Sequence, residues 1–266
     1  MSDSDIQAGD NTRHQVVSLR AVMQGNSRLS VIGSIATSFA LWHIQSAILF
    51  AQRCCDLEAR PVSNDAPEIE DVRTEHRAYT TGAIFSSVAF LEATINEFFG
   101  GSSHSSDLRR QVFSEQGAKL IHTVWERFLL DKSKYTTLEK YQLALTLTNA
   151  IPFPDNGSQT PPQVGSYRDI QNLITLRNDL MHYKPLWESG QKSEDKSVRQ
   201  LKSMLQSRFS ASPNPFYDQR SHFLHVYLGR PCAKWAARAS VTFADDFFRR
   251  LGLPAPYEHL RNKWTL

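Results

Sequence analysis

Three polar side chains near the end of one segment, Arg177, Asn178 and His182, have the chemistry to bind an anion and to move a proton. An arginine guanidinium stays charged and pairs with anions, whereas an imidazole titrates near neutral pH. The residues lie in the sequence LRNDLMHYKP, residues 176–185, whose proline disfavours the α conformation at Lys184. The segment therefore predicts a group of functional side chains at the end of a helix.

Arg177 lies among apolar residues that repeat every three or four positions along this helix. Those apolar residues are Ile170, Leu173, Ile174 and Leu180. The spacing turns Arg177 toward the core or an interface, where an unpaired charge costs several kcal/mol. Two partners are available: the carboxylate of Glu92, on an earlier helix that carries Asn96 on the same face, or a bound phosphate.

Helical geometry also decides which of these groups can act together. Arg177 and His182 lie about 140° apart around one helix, whereas Asn178 and His182, four residues apart, share a face. An anion held by both Arg177 and His182 must lie at the helix end or in a cleft between two copies of the helix. The second arrangement predicts a symmetric dimer with its site across the two-fold axis.

Helical periodicity dominates the chain, and no segment shows a sustained alternation typical of strands, so the sequence predicts an all-α fold. The expected helices cover residues 28–59, 72–99, 107–130, 137 onward, 166–183, 198–208 and 231–250. Thr136 followed by Glu139 has the spacing of a capping box at the start of the fourth helix. A loop with four prolines, residues 151–166, precedes the helix of Arg177 and is of a kind that is often functional.

These elements predict one main helical domain with short flanking parts. The expected parts are a flexible tail over residues 1–27, an N-terminal helix over 28–60 that packs on the core, a helical domain over 72–252 and a C-terminal tail over 253–266. The first helix should end at Arg60-Pro61, because proline breaks a helix, and the last should end before Gly252.

The composition limits the class of protein. With 266 residues, 41% of them hydrophobic, the chain can bury one substantial core, and its formal charge of +3 does not by itself indicate nucleic-acid binding. Cys54, Cys55 and Cys232 form neither a disulfide framework nor a paired C-x-x-C metal pattern, which favours a reducing compartment. The polar first thirty residues predict no secretory signal, so we expect a cytoplasmic protein.

The apolar stretch VIGSIATSFALWHIQSAILFA, residues 31–51, is long enough to cross a bilayer. Gly33, His43, Gln45 and several serines weaken that interpretation, and the rest of the chain is typical of a soluble protein. We therefore expect a buried packing helix here and no membrane partner.

The segment RNDLMH, with a polar residue after the arginine and a histidine after four intervening positions, resembles the signature of the HEPN superfamily (higher eukaryotes and prokaryotes nucleotide-binding). The surrounding YRDIQNLITLRNDLMHYKPLW is similar to the motif helix of that family. The earlier AIFSSVAFLEATINEFF, residues 83–99, is similar to its first core helix, in which an acidic residue often faces the motif. The resemblance covers residues 72–250.

This resemblance implies an up-and-down helical bundle that dimerises and cleaves RNA without a metal or other cofactor, with residues 28–60 as an additional N-terminal helix. Family members act mostly in toxin–antitoxin and antiviral systems. The implied partners are RNA, a second copy of the chain and an antitoxin or defence protein. Some members carry a modified tyrosine two residues after the histidine; here Tyr183 is directly adjacent and Lys184 holds the shifted position, which departs from that pattern.

The residue types suit attack of a ribose 2′-hydroxyl on the neighbouring phosphate, which leaves a 2′,3′-cyclic phosphate. His182 would transfer protons, and Arg177 would stabilise the added negative charge of the phosphorane. Asn178 would orient the histidine or hold the ribose, and Glu92 would hold Arg177 in the absence of substrate. The further residues expected to support the site or bind substrate are Asn96, Tyr183 and Lys184.

Two other interpretations stay open. A non-catalytic HEPN module would use Arg177 and His182 to bind a nucleotide or a protein partner. A helical interaction protein would use them structurally, with Arg177 paired to Glu92 and His182 capping its helix. The pair His222 and His225 has no third ligand nearby in the sequence, so no metal site is expected there.

Overall fold

The computed structural model describes residues 15–24, 28–60, 66–100, 115–130, 135–154, 167–182, 196–218 and 220–264. The chain forms two compact units, Met1–Ser38 and Phe39–Leu266. The second unit is all-α, as the sequence predicts, and it contains each candidate site residue that the structure describes.

The first unit holds an antiparallel β-hairpin that was not predicted. β1 spans Gln15–Gln24 and β2 spans Arg28–Thr37, with Gln24 opposite Arg28 beside the turn. The expected flexible tail over residues 1–27 is therefore wrong for β1, and the expected helix start at residue 28 is wrong because residues 28–37 form a strand.

The composition of β2, RLSVIGSIAT, explains the difference. Its valine and two isoleucines are β-branched, and Gly33 is unfavourable inside a helix, so a strand is the better conformation once a partner strand is present. Because the apolar stretch over residues 31–51 extends across Ser38, the sequence pattern alone does not show that a strand ends and a helix begins there. The helix begins at Phe39, and no helix among the described residues is long and apolar enough to cross a membrane.

Eight α-helices and a 3-10 helix form the described part of the second unit. They are α1 (Phe39–Glu58), α2 (Ala66–Gly100), α3 (Glu115–Leu130), α4 (Thr137–Leu147), α5 (Tyr167–Met181), α6 (Lys196–Phe209), α7 (Phe223–Tyr227), α8 (Arg230–Arg250) and the 3-10 helix Glu258–Lys263. The helices predicted after the first are confirmed, with shifted ends, and α7 was not predicted. Residues 107–114, the expected start of the third helix, lie outside the described residues.

The core is built on α1 and α2, which run antiparallel. The backbone N–H of Ala40, early in α1, donates to Glu97 Oε1, late in α2, at 2.8 Å. At the opposite end of the pair, His76 Nε2 lies 2.9 Å from Glu58 Oε1. α8 packs on both helices, and α4 and α5 pack on α2 and α8, so α5 is held against the helix that carries Glu92.

Aromatic side chains from α4 and α8 fill the centre of this core. Tyr141 is fully buried, and its ring centre lies 4.9 Å from that of Phe243 and 4.7 Å from that of Phe247. Its hydroxyl donates to the carbonyl oxygen of Leu91 at 2.9 Å. This hydrogen bond and the ring packing fix α4 against α2 and α8.

The expected C-terminal tail over residues 253–266 is wrong, because its described part packs on the core. Gly252 takes a φ of 67°, a left-handed conformation that favours glycine and turns the chain back after α8. Tyr257 and Leu260 are buried, and the Tyr257 hydroxyl donates to Asp245 Oδ1 at 2.7 Å. The domain boundaries that were expected after residues 60 and 252 therefore do not separate parts of the helical unit.

Replacement of Phe247 by alanine tests this core. Because Phe247 is fully buried, Phe247→Ala should lower the free energy of unfolding by about 3–5 kcal/mol, measured by urea denaturation. Phe39→Ala is the matched control, because Phe39 is 54% exposed and its removal should cost about 1 kcal/mol or less. Equal losses in the two variants would contradict the assignment of the core.

Candidate functional site

α5 positions the three residues that could do chemistry. The residues that it buries fully are Ile170, Leu173 and Leu176. Ile174 and Leu180 are partly buried and also pack against the core, so the predicted apolar stripe is confirmed, with Leu176 as a further buried residue that was not predicted. Arg177, beside the stripe, keeps 21% of its side chain exposed.

The guanidinium of Arg177 pairs with the carboxylate of Glu92 on α2, one of the two partners that the sequence suggests. The Thr137 hydroxyl, at the start of α4, donates to the same carboxylate at 3.4 Å. Arg177 Nη1 also lies 3.8 Å from Met181 Sδ. Since 42% of the Glu92 side chain is exposed, the pair is open to water, and a dissolved anion can reach the guanidinium.

The Arg177–Glu92 pair lies in a polar groove of about 600 Å³ formed by α2, the start of α4 and α5. Asn96, Asn178 and Lys140 also line this groove. Lys140 Nζ donates to Asn96 Oδ1 at 3.0 Å, which holds a second cation in the groove. Two cations, one carboxylate and two amides supply the charge and the donors that a bound phosphate needs.

A capping box fixes the start of α4 and with it the position of Lys140. Thr136 Oγ1 accepts from the Glu139 backbone N–H at 3.3 Å, and the Thr136 N–H donates to Glu139 Oε2 at 2.7 Å, as predicted. The hydrogen bond from the Thr136 backbone N–H is the largest cause that lowers the pKa of the Glu139 carboxyl, and the hydrogen bond with the Thr136 side chain lowers it further. Lys140 was not identified from the sequence, because only the packing of α4 on α2 places it in the groove.

His182 lies just after α5 and is exposed. Its backbone N–H donates to the carbonyl oxygen of Asn178 at 2.8 Å, so the two residues lie one helical turn apart. His182 is not among the described residues that line the groove. One chain therefore brings together four of the predicted residues and leaves His182 apart. The four are Glu92, Asn96, Arg177 and Asn178.

The two remaining predicted residues, Tyr183 and Lys184, lie outside the described residues. Their expected roles beside the groove stay predictions.

A second cavity of about 460 Å³, mostly apolar, lies near the end of α5, where Leu180 lines it. His222 and His225 also line this cavity, and both make structural contacts. His222 Nδ1 accepts a backbone N–H of α7 at 3.4 Å, and His225 stacks on Tyr217 with ring centres 4.7 Å apart. Burial, with the neighbouring His222 and Arg77 as smaller causes, lowers the pKa of His225.

A double-mutant cycle with Arg177→Gln and Glu92→Gln measures the strength of the ion pair in the groove. Because Glu92 is 42% exposed, water screens the pair, and we expect a coupling free energy of about 0.5–1 kcal/mol that falls as salt is added. The control is Arg53–Asp56, a pair 3.6 Å apart with both side chains more than half exposed, which should couple more weakly. Coupling no larger than that of the control would contradict the pairing.

Comparison with known proteins adds no identification. No protein-family model, no curated protein and no solved structure matches the chain. The HEPN resemblance therefore rests on the RNDLMH motif, on the segment that contains it and on the earlier segment over residues 83–99.

Proposed function

We propose that the protein is a metal-independent endoribonuclease of the HEPN type, acting as a homodimer in a toxin–antitoxin or antiviral defence system. The observation that carries the proposal is the pairing of Arg177 with Glu92 in an open groove beside Asn178, with His182 exposed at the end of the same helix. A positioned cation, an amide and a titratable ring are the groups that RNA cleavage by a 2′-hydroxyl requires.

In this proposal, Arg177 binds the scissile phosphate. With 21% of its side chain exposed, the guanidinium is less hydrated than one at the surface and depends on the anion of Glu92. A guanidinium binds a phosphate through the same forked geometry that it uses for a carboxylate. A phosphate that displaces Glu92 would take over its contact with the guanidinium, whose charge stabilises the added negative charge of the phosphorane.

Glu92 and Lys140 set the charge that the groove presents to an anion. The partly exposed carboxylate of Glu92 can turn toward water when a phosphate takes its place. Asn96 holds Lys140 in the groove. With Glu92 displaced, the groove therefore carries two positive charges, Arg177 and Lys140, and no bound carboxylate. In this proposal, the anion that enters the groove is a phosphate of RNA.

Proton transfer is assigned to His182. The 2′-hydroxyl oxygen attacks the adjacent phosphorus and loses its proton, the bond from phosphorus to the 5′ oxygen breaks, and that oxygen gains a proton. The products are a 2′,3′-cyclic phosphate and a 5′-hydroxyl. An exposed imidazole can exchange protons with both the substrate and water. Asn178, one helical turn before it, would orient the ring or hold the ribose.

A second copy of the chain would supply the geometry that one chain lacks. His182 does not line the groove among the described residues of its own chain, and it lies about 140° from Arg177 around α5. Two copies related by a two-fold axis, with their α5 ends together, would bring His182 of one copy to the groove of the other. The proposed reaction therefore depends on the homodimer.

A non-catalytic HEPN module that binds a nucleotide is the second candidate. It is favoured by the fact that one groove holds Arg177, Lys140 and Asn178, whereas His182 does not line it. Such a module would need neither proton transfer nor a second copy. A HEPN module that binds a protein, such as an antitoxin, would use the same groove for an acidic side chain.

Substitution of His182 by alanine separates these candidates. For the endoribonuclease, His182→Ala should reduce RNA cleavage at least about 100-fold and keep RNA binding, because the ring supplies proton transfer while Arg177 holds the phosphate. The measurement is gel analysis of RNA incubated with the purified full chain. His259→Ala, at an exposed histidine of the 3-10 helix, is the control and should cleave like the native protein.

The reaction products and the effect of a chelator complete this test. Cleavage should persist in EDTA and leave 2′,3′-cyclic phosphate ends. A requirement for a divalent ion, or cleavage retained by His182→Ala, would contradict the endoribonuclease. An absence of cleavage together with a loss of nucleotide affinity in Arg177→Gln would select the binding module instead.

A further inference from the structure

Away from the groove, Cys54, Glu58 and His76 meet between α1 and α2. Cys54 and Glu58 are four residues apart on α1 and so share a face, and His76 reaches them from α2. Cys54 and His76 are fully buried, and the Glu58 side chain is 6% exposed. Burying a charged carboxylate costs free energy unless a hydrogen bond, a countercharge or a metal ion compensates the charge.

The three side chains present one ligand atom each to a common point. Cys54 Sγ lies 3.3 Å from His76 Nε2, His76 Nε2 lies 2.9 Å from Glu58 Oε1, and Cys54 Sγ lies 3.8 Å from Glu58 Oε1. The point equidistant from the three atoms is about 2.0 Å from each, close to the roughly 2.0–2.3 Å of zinc bonds to nitrogen, oxygen and sulfur. An ion slightly out of their plane would therefore be within bonding distance of all three.

The surroundings hold the carboxylate in place for such a role. The backbone N–H of Arg230, at the start of α8, donates to Glu58 Oε1 at 2.5 Å, and Arg230 Nε lies 3.8 Å from Glu58 Oε2. A Cβ atom on Gly229 would lie 2.9 Å from Glu58 Oε1, so the close approach of α8 depends on that glycine. Thr80 Oγ1 also lies near the group, 3.3 Å from Cys54 Sγ, and it donates to the carbonyl oxygen of His76 at 3.0 Å.

We propose that Cys54, Glu58 and His76 form a structural site for a zinc ion, with Thr80 or a water molecule completing the coordination. One sulfur, one nitrogen and one oxygen form the mixed ligand set that zinc accepts, whereas magnesium and calcium take oxygen ligands. The ion would join α1 to α2 and, through Glu58, to the start of α8. The site does not rest on the proposed function and takes no part in RNA cleavage.

Zinc binding requires a defined exchange of protons. Burial raises the pKa of the Cys54 thiol to about 12, so the metal-free thiol is protonated, and zinc must displace its proton to form the thiolate. Asn214 Nδ2 lies 3.4 Å from His76 Nδ1 and donates to it, which leaves the ring proton on Nε2. When Nε2 binds zinc, this proton moves to Nδ1, and one proton in total leaves the site.

The proton on Nδ1 then needs an acceptor. The Asn214 amide must turn so that its Oδ1 faces His76, which gives up the bonds to Phe216 N–H at 3.1 Å and to the Leu228 carbonyl at 2.9 Å. Turning the amide leaves a buried N–H and a carbonyl without these partners, a real cost that the larger binding free energy of a zinc ion held by a thiolate, an imidazole and a carboxylate has to exceed. The turned amide would give the histidine the second partner that zinc-bound histidines ordinarily have.

Cobalt binding by the purified full chain tests the site, because Co²⁺ bound to a thiolate gives a charge-transfer absorption band. We expect the native protein to bind one Co²⁺ per chain with this band and to exchange it for Zn²⁺. Cys54→Ser should lose the band and bind Co²⁺ more than about 100-fold more weakly. Loss of a residue that only hydrogen-bonds to a ligand lowers metal affinity by about 10- to 100-fold, so a larger loss indicates a direct ligand. Cys55→Ser is the matched control and should keep both, because Cys55 is not among the ligands.

The absorption spectrum of the native protein with Co²⁺ tests the zinc site even if Cys54→Ser does not fold. A native protein that binds Co²⁺ without a thiolate band, or that binds neither Co²⁺ nor Zn²⁺ when each is added to the metal-free chain, would overturn the proposal. A band that Cys55→Ser loses and Cys54→Ser keeps would also overturn it. Because the ion would be structural, its removal should lower the melting temperature of the native chain and of Cys55→Ser but not that of Cys54→Ser.

Discussion

The guanidinium of Arg177, with 21% of its side chain exposed, has to meet an anion, and Glu92 is the anion that it meets. This interaction joins α5 to α2, and the contact of Thr137 with the same carboxylate brings the start of α4 to the pair. The groove lies where α2, the start of α4 and α5 meet at the carboxylate of Glu92. In the proposed function, the same dependence on an anion would let a phosphate take the place of Glu92, whose side chain is 42% exposed.

The helical unit could be predicted largely from local rules. Apolar spacing predicts most of its helices, and the capping box of Thr136 and Glu139 locates the start of α4. The need of Arg177 for an anion also follows from the sequence, because a charge inside an apolar stripe needs a countercharge; the structure shows Glu92, one of the two partners that the sequence suggests. These inferences succeed because each depends on residues within one helix or on two facing helices.

The parts that could not be predicted depend on contacts between distant segments. β2 needs β1 as its partner, and the pattern of residues 31–51 alone looks like one helix. Tyr257 is buried only because Gly252 turns the chain back onto α8. Lys140 joins the groove, and His76 joins Cys54, only through the packing of different helices. His182 does not line the groove of its own chain among the described residues, and only the proposed assembly of two copies would bring it there.

The central claim is that Arg177 and His182 act on one phosphodiester across two copies of the chain. The most direct test mixes equal amounts of Arg177→Ala and His182→Ala, each expected to be inactive alone. In a mixed dimer, one of the two sites keeps an intact Arg177 from one copy and an intact His182 from the other. We therefore expect about a quarter of the native RNA cleavage after free exchange of subunits. No cleavage above that of the separate variants, with mixed dimers shown by mass spectrometry, would contradict the claim.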